Sequence, residues 1–127
     1  MAFEFFRSES SASPIEKEIE ATNGVTYKHG CLVSYGSAGT ATTTTAKPEF
    51  VYVGKDTVAK TGDKLACTVV FPEDEYLTYL TASSATLKPG MKVTTNGEKA
   101  TATTASGVFE LLSVDGTTAK PVVGRFA

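Results

Sequence analysis

Turn-forming dipeptides divide the chain into short runs that look like strands. Asn23-Gly24, Asn96-Gly97 and Asp115-Gly116 are signals for tight turns, and Pro89-Gly90 is a fourth. The runs between turn signals are rich in valine, aromatic residues and threonine, and such signals recur about every 8 to 12 residues. This spacing is typical of a sandwich or a barrel. We therefore predict an all-β fold, a small β-barrel or β-sandwich of about eight to ten short antiparallel strands.

The amount of threonine supports this class. The chain has 127 residues, of which 20 are threonine, and it contains no tryptophan. Threonine is β-branched and stiff at χ1, so it suits the half-buried surface of a sheet better than a helical bundle. The length is that of one domain. We predict an N-terminal arm over residues 1–13 and a single β domain over residues 14–127.

The charges argue against several classes of partner. The net charge is −2 and the basic residues are scattered, so we expect no nucleic-acid partner, which would need a concentrated basic face. No apolar run is long enough to span a membrane, and Glu4, Arg7 and Glu9 make the N-terminus unlike a signal peptide. We therefore expect use in a cytosol or release by lysis. Cys31 and Cys67 are then expected to be free, buried thiols, with a disulfide as the alternative.

The N-terminal residues contain an aromatic cluster. Phe3, Phe5 and Phe6 precede Arg7, and a polar spacer follows over residues 8–13. One interpretation is that the cluster folds back onto the domain. The other is that it docks on another protein chain, because phenylalanine and arginine are favoured anchors in interfaces. We name Phe3, Phe5, Phe6 and Arg7 as candidate contacts to a partner or to a neighbouring copy.

Two segments are ambiguous. Residues 14–22 begin like a capped helix, yet Ile15, Lys17 and Ile19 fall on one face at a period of two, and Asn23-Gly24 follows. We favour a hairpin that returns through residues 25–27. The run Thr40 to Thr45 is either an edge strand or an ordered loop. Elsewhere, the only helix we allow is a single turn over residues 81–87.

No residue pattern predicts an active site. His29 and Cys31 would share a face of a strand, but we favour a turn histidine before Gly30 and a core cysteine over a thiolate–imidazole pair. Glu73, Asp74 and Glu75 form the only acidic cluster, and we expect a solvated turn there. We therefore predict no enzymatic activity, no catalytic residue, no cofactor and no metal. A small hydrolase would need a cleft at His29 or a carboxylate pair.

A glycan-binding or adhesion module on a virion is the alternative function. Such modules are often small β-sandwiches with exposed aromatic platforms. The chain has five tyrosines, which mostly alternate within strand-like runs, so packing in the core or on a sheet face also accounts for them. The tyrosines are Tyr27, Tyr35, Tyr52, Tyr76 and Tyr79.

Several phrases, in a consistent order, resemble the small capsid decoration (cement) proteins of tailed bacteriophages. The matching phrases are Tyr27 to Val33, Ala46 to Val51, Thr61-Gly62-Asp63, Leu87 to Thr94, Thr103 to Glu110, and Asp115-Gly116-Thr117 with Val123 to Phe126. The resemblance implies a virion structural protein that binds the outer face of a shell of major capsid proteins and stabilises it. Relatives commonly sit as trimers at threefold or quasi-threefold positions, so the implied partners are the major capsid protein and further copies of this chain. The implied location is the capsid surface of a virion assembled in the host cytoplasm. The phenylalanine-rich arm has no counterpart in this resemblance.

Overall fold

Twelve strands in three sheets make up the fold. The computed structural model describes residues 2–127, and none of these residues forms a helix. The strands are β1 (Glu4–Ser8), β2 (Glu16–Glu20), β3 (Thr26–Tyr27), β4 (Leu32–Tyr35), β5 (Ala41–Thr43), β6 (Phe50–Tyr52), β7 (Thr57–Val58), β8 (Lys64–Val69), β9 (Asp74–Thr78), β10 (Lys92–Val93), β11 (Phe109–Ser113) and β12 (Val122–Phe126). The all-β prediction is confirmed. The strands outnumber those predicted because β3, β7 and β10 have only two residues each.

The strands pair antiparallel in a sandwich-like arrangement. A first sheet has the order β1-β9-β12-β11-β10, a second has the order β2-β8-β6-β4-β5, and β3 pairs with β7 in a small third sheet. An isolated bridge between Ala21 and Ala41 brings the ends of β2 and β5 together, so the second sheet is curled. Neither five-stranded sheet is closed into a barrel by a continuous ladder.

The main core lies between the first and second sheets. Its centre is an aromatic cluster in which the Phe3 ring lies 5.3 Å from that of Phe109 and 5.2 Å from that of Phe126. Tyr76 joins the cluster at 5.5 Å from Phe126, with its ring tilted against it. Contacts between tilted or edge-on rings at these distances add to the stabilisation that burial alone provides. The core therefore joins strands from both ends of the chain.

A second core lies on the opposite face of the second sheet. On β6, Phe50 and Tyr52 pack into this second core, whereas Val51 between them packs into the main core. All three residues of the strand are buried. A strand covered on both faces is expected to be a continuous apolar run, and residues 50–53 are one. The second sheet is thus a middle layer at its centre.

The N-terminal residues are part of the domain. β1 is the edge strand of the first sheet and pairs with β9. Phe3 is only 1% exposed, and its N–H donates to the carbonyl oxygen of Gly30 at 3.1 Å. Residues 3–8 of the predicted arm therefore fold back onto the domain, and the boundary at residue 13 does not separate them from it. Residues 9–15 join β1 to β2 and are exposed.

The ambiguous segment 14–22 is a strand with an unexpected partner. Residues 16–20 form β2, which excludes the helix, but β2 pairs with β8 and not with β3. The predicted hairpin is wrong because a two-residue hairpin of the Asn-Gly type needs positive φ at both central residues. Gly24 has a φ of 81°, whereas Asn23 does not have a positive φ. The turn from Thr22 to Val25, closed by a 3.2 Å backbone hydrogen bond, therefore leads away from β2.

The threonine tract and the second Asn-Gly step meet each other. Ala41–Thr43 is the edge strand β5, and the rest of the tract is a loop. In that loop Thr45 accepts a hydrogen bond from the Thr95 hydroxyl at 3.0 Å. A bridge between Thr95 and Ala100 encloses Asn96-Gly97, so the chain does reverse there, through a four-residue loop. No helical turn forms over residues 81–87.

Candidate functional site

The four predicted contact residues differ in burial; Phe3 lies just before β1 and the other three lie within it. Phe3 is buried, and Phe5 is half-buried with its ring 5.9 Å from that of Tyr76. Phe6 is 44% exposed and Arg7 is exposed as well. A bulge between Phe5 and Arg7 adds a residue to the strand, so Phe6 and Arg7 do not continue the inward alternation. Only Phe6 and Arg7 are therefore accessible to a partner without unfolding.

The side chain of Arg7 is held by two contacts. Its guanidinium carbon lies 5.2 Å from the centroid of the Phe6 ring, within the range of a cation–π contact. Its Nε donates to Glu75 Oε1 at 3.0 Å. Glu75 is only 5% exposed, whereas the Arg7 side chain is 67% exposed. The carboxylate thus orients a cation that remains open to solvent.

The prediction of a solvated acidic turn is wrong for Asp74 and Glu75. The acidic cluster was expected to be a solvated turn, but Asp74 is only 4% exposed and Glu75 5%. Asp74 Oδ2 accepts from the N–H of Phe71 at 3.1 Å, which satisfies it locally. Glu75 is satisfied by Arg7, which is distant in sequence. No group of three potential metal ligands occurs within residues 2–127.

Charges of alternating sign cross the outer face of the first sheet. Arg7 pairs with Glu75 in register, Glu110 pairs with Arg125, and Lys92 pairs with Glu110. Arg125 lies beside Glu75 because their neighbours Gly124 and Tyr76 are paired. Arg125 Nε also donates to Glu110 at 3.2 Å, and this bond raises the pKa of the guanidinium. Opposite charges on adjacent strands stabilise the sheet. The row has three cations and two anions, and Glu9 adds a further carboxylate to Arg125.

An apolar stripe lies next to the charged row on the same face. Leu77 and Val123 are paired and half-buried, and half-buried Leu112 alternates with the core residue Leu111. On β1, the exposed Glu4 pairs with Leu77 at the edge of this stripe, and the exposed Phe6 lies two residues further along the strand. We call Phe6, Arg7, Leu77, Leu112 and Val123 the outer-face patch. Apolar surface bordered by charged groups is a composition found in protein contact sites.

Comparison with known proteins does not extend this description. No family model matches the chain, and no curated protein matches it. Within residues 2–127, nothing has the helical length and hydropathy of a membrane span.

His29 and Cys31 do not form a nucleophile–base pair. The exposed His29 ring places Nδ1 at 2.9 Å from the carbonyl oxygen of Gly54, and its backbone N–H donates to Asp56 at 2.8 Å. This second bond lowers the pKa of the Asp56 carboxyl. Cys31 is only 4% exposed, and burial raises its pKa to about 11, so its thiol is protonated near neutral pH. The geometry gives no activated thiolate beside the imidazole.

The two cysteines are free and buried, which confirms that expectation for residues 2–127. Tyr52 pairs with Cys67 across β6 and β8, and its N–H donates to the carbonyl oxygen of Cys31. The strand β6, which carries Tyr52, therefore lies between the two cysteines. Burial raises the pKa of Cys67 to about 12.

Three of the five tyrosines are core residues. Tyr27 and Tyr76 are completely buried and Tyr52 is 5% exposed. Tyr35 is 41% exposed on the second sheet, and Tyr79 is half-buried just after β9. Core packing thus accounts for most of the tyrosines, and only Tyr35 and Tyr79 are accessible to a ligand.

Proposed function

We propose that this chain is a capsid decoration protein of a tailed bacteriophage, which binds the outer surface of the shell and stabilises it. The phrases that resemble such proteins include parts of β4, β6 and β12, and these strands contribute residues to both cores. The observation that carries the proposal is the outer-face patch, in which Phe6 and Arg7 stand out from an ordered sheet beside apolar side chains. A rigid sheet that presents such a patch suits a protein whose role is to bind a surface.

The geometry of Arg7 favours binding. A long side chain normally loses rotamer entropy when it is fixed in an interface. Arg7 is already oriented by Glu75 and by the Phe6 ring, so less entropy remains to be lost. Aromatic and arginine side chains are also the residues that most often dominate binding energy. Phe6 and Arg7 are therefore the contacts that we assign to the major capsid protein.

A trimer at a threefold position would multiply these contacts. Three copies related by C3 symmetry present the same patch three times. Once one patch is bound, the second and third bind effectively intramolecularly, so a modest contact per subunit gives a high overall affinity. The cohesion between copies and the attachment to the shell are both part of the proposal.

Co-sedimentation with empty expanded capsids of the phage that encodes the chain tests the proposal. The double variant Phe6→Ala/Arg7→Ala is expected to bind much more weakly than the wild type. Val58→Ala is the matched control, because Val58 is 61% exposed on the small sheet, away from the patch. Thermal melting shows that all three proteins are folded. Wild-type protein that stays in the supernatant contradicts the function, and full binding by the double variant contradicts the assigned contacts.

Deleting residues 1–13 is a poor substitute for this experiment. The deletion removes Phe3 from the main core and β1 from the first sheet. Loss of binding by such a variant would follow from unfolding alone. The point variants keep Phe3 in the main core and β1 in the first sheet. Arg7→Ala does remove the hydrogen-bond partner of the buried Glu75, so Phe6→Ala alone and the melting temperature of the double variant separate weaker binding from lost stability.

A further inference from the structure

A large cleft opens at the junction between the two five-stranded sheets. Its volume is about 1030 Å³, just above the usual range of about 300–1,000 Å³ for ligand sites. The wall on the side of the first sheet includes Tyr79, and the opposite wall includes Lys28, His29 and Asp56. The cleft lies apart from the outer-face patch, since none of the five patch residues lines it.

The backbone of the cleft wall is held by hydrogen bonds. Within the lining, Asp56 accepts from the N–H of His29 at 2.8 Å. The next residue, Gly30, does not line the cleft, but its N–H donates to the carbonyl oxygen of Tyr52 at 2.7 Å. Asp56 is also paired with Lys28 at 3.6 Å. A ligand would therefore meet a preformed wall, which reduces the ordering cost of binding.

Hydrogen-bonding groups in the cleft have unused capacity. Asn96 Oδ1 accepts from the N–H groups of Glu98 and Lys99 at 2.9 and 2.7 Å, so the amide is held in place while its NH₂ remains available. Neither Glu98 nor Lys99 makes a salt bridge within the described residues. His29 Nδ1 is hydrogen-bonded to a carbonyl, which can only accept, so Nε2 is left for a ligand.

The balance of charges selects the class of ligand. Among the described residues that line the cleft, Lys28 and Lys99 carry two positive charges and Asp56 and Glu98 carry two negative ones, so their formal charges cancel. Because the two positive charges are matched by two negative ones, these side chains give the cleft no electrostatic preference for a phosphate or another anion. Neighbouring hydroxyl groups, which both donate and accept, match this mixture of amide, carboxylate and ammonium groups. The Tyr79 ring adds an amphipathic surface of the kind that a sugar ring can pack against.

We propose that this cleft binds an uncharged oligosaccharide, with Tyr79 as the packing surface and Asn96, Glu98 and Lys99 as hydrogen-bonding partners. This activity is additional to capsid binding and does not depend on it. Tyr79 is the accessible tyrosine that lines the cleft, whereas the other accessible tyrosine, Tyr35, does not.

Saturation-transfer NMR with chitotriose, maltotriose and cellotriose tests the proposal on the intact protein. We expect millimolar binding of at least one trisaccharide, and a loss on the order of tenfold in affinity for Tyr79→Ala. Tyr35→Ala is the matched control, and it should bind like the wild type. Thermal melting checks that both variants are folded.

A second variant tests the hydrogen-bonding partners of the sugar. Asn96→Ala is unsuitable, because it also removes the two hydrogen bonds that Asn96 Oδ1 accepts from the backbone N–H groups of Glu98 and Lys99. Glu98→Gln is better, because Glu98 is exposed and the change is nearly isosteric. It should weaken sugar binding while leaving the melting temperature unchanged. Absence of binding by all three sugars overturns the proposal. So does equal binding by Tyr79→Ala, or tighter binding of inorganic phosphate than of any sugar.

Discussion

The N–H of Phe3 donates to the carbonyl oxygen of Gly30 at 3.1 Å, and this bond links the strand β1 of the first sheet to the loop that leads into the second. The approach is close, because a Cβ at Gly30 would lie 2.6 Å from the Ala2 Cβ and 2.8 Å from the Phe3 carbonyl oxygen. Gly30 also has a φ of 81°, in the left-handed region. The N-terminal segment and this glycine therefore depend on each other.

Gly30→Ala is expected to destabilise the protein more than an ordinary glycine substitution does. Gly39 is the matched control, because its φ is 79° and a Cβ there would meet nothing within 4 Å. Gly39→Ala should cost about 1 kcal/mol for the left-handed conformation alone. Gly30→Ala should cost about 2 kcal/mol more, because the N-terminal backbone has to move. Urea denaturation measures both, and equal losses would contradict the proposed close approach.

Phe3→Ala and Phe6→Ala should differ strongly although the two residues are only three positions apart, Phe3 just before β1 and Phe6 within it. Phe3 is 1% exposed in the aromatic cluster, so its truncation should cost about 3–5 kcal/mol of unfolding free energy. Phe6 is 44% exposed, and its truncation should cost less than about 1 kcal/mol. Chemical denaturation of the two variants is the measurement. A large loss for Phe6→Ala would mean that its ring has a structural role.

Tyr76→Phe is expected to leave stability unchanged or to raise it by about 1 kcal/mol. The Tyr76 hydroxyl is buried and has no hydrogen-bond partner within residues 2–127. Burial raises the pKa of the Tyr76 phenol, so the group stays neutral. The neighbouring Thr68 hydroxyl, which offsets part of this rise in the pKa of Tyr76, donates to the carbonyl oxygen of Val51 at 3.5 Å.

Tyr27→Phe is the control for that substitution. The buried Tyr27 hydroxyl donates to the carbonyl oxygen of Ala41 at 2.6 Å and accepts from the N–H of Thr22 at 3.0 Å. Its removal should cost about 1–2 kcal/mol. If Tyr76→Phe lost as much as Tyr27→Phe in thermal or urea melts, an unseen partner of the Tyr76 hydroxyl would be implied.

The raised pKa values of the two buried thiols predict that the protein loses stability at alkaline pH. Burial raises the pKa of Cys31 to about 11 and that of Cys67 to about 12, from an ordinary value of 9.0. Below pH 9 the folded and the unfolded protein both keep the two thiol protons, so the thiols' contribution to the free energy of unfolding is fully present. As the pH rises above 9, the unfolded chain releases protons that the folded protein retains, and stability falls until the pH passes the folded pKa values.

Urea melts between about pH 8 and 10 measure this effect, since tyrosine contributes little until the upper end of that range. Each thiol approaches a slope of about 1.4 kcal/mol per pH unit. The double variant Cys31→Ala/Cys67→Ala should be less stable at neutral pH because of the cavities that it leaves, but its stability should fall less steeply with pH. Parallel slopes for the two proteins would assign the alkaline loss to other groups.

Local signals in the sequence predicted the class of fold, most of the strands and the free cysteines, but not the pairing of β2. The period of two from Ile15 to Ile19 identified a strand. Pairing that strand with β3 in a hairpin would have required a positive φ at Asn23. The dipeptide Asn-Gly allows this conformation but does not require it. Pairing β2 with β8 instead brings together residues more than forty positions apart. Periodicity within a short window carries no information about such a partner.

Local sequence signals also predicted the candidate site only in part. Residue types alone identified Phe6 and Arg7 together with Phe3 and Phe5, but only the bulge in β1 decides which of the four face solvent. Glu75 was missed because its cation, Arg7, is 68 positions away, and a carboxylate in an acidic run is normally solvated. The cleft is formed by loops from both sheets, so no contiguous segment indicates it.

The arrangement of β1 and β12 determines how the protein responds to mechanical load. Both strands pair antiparallel with β9, one on each side, so they run parallel to each other. Force that separates the start of β1 from the end of β12 therefore acts along the strands in opposite directions. The hydrogen bonds to β9 lie across that force and bear it together instead of opening one after another. Such shear geometry resists extension, and it would let the domain keep its shape when a tether pulls on its two ends.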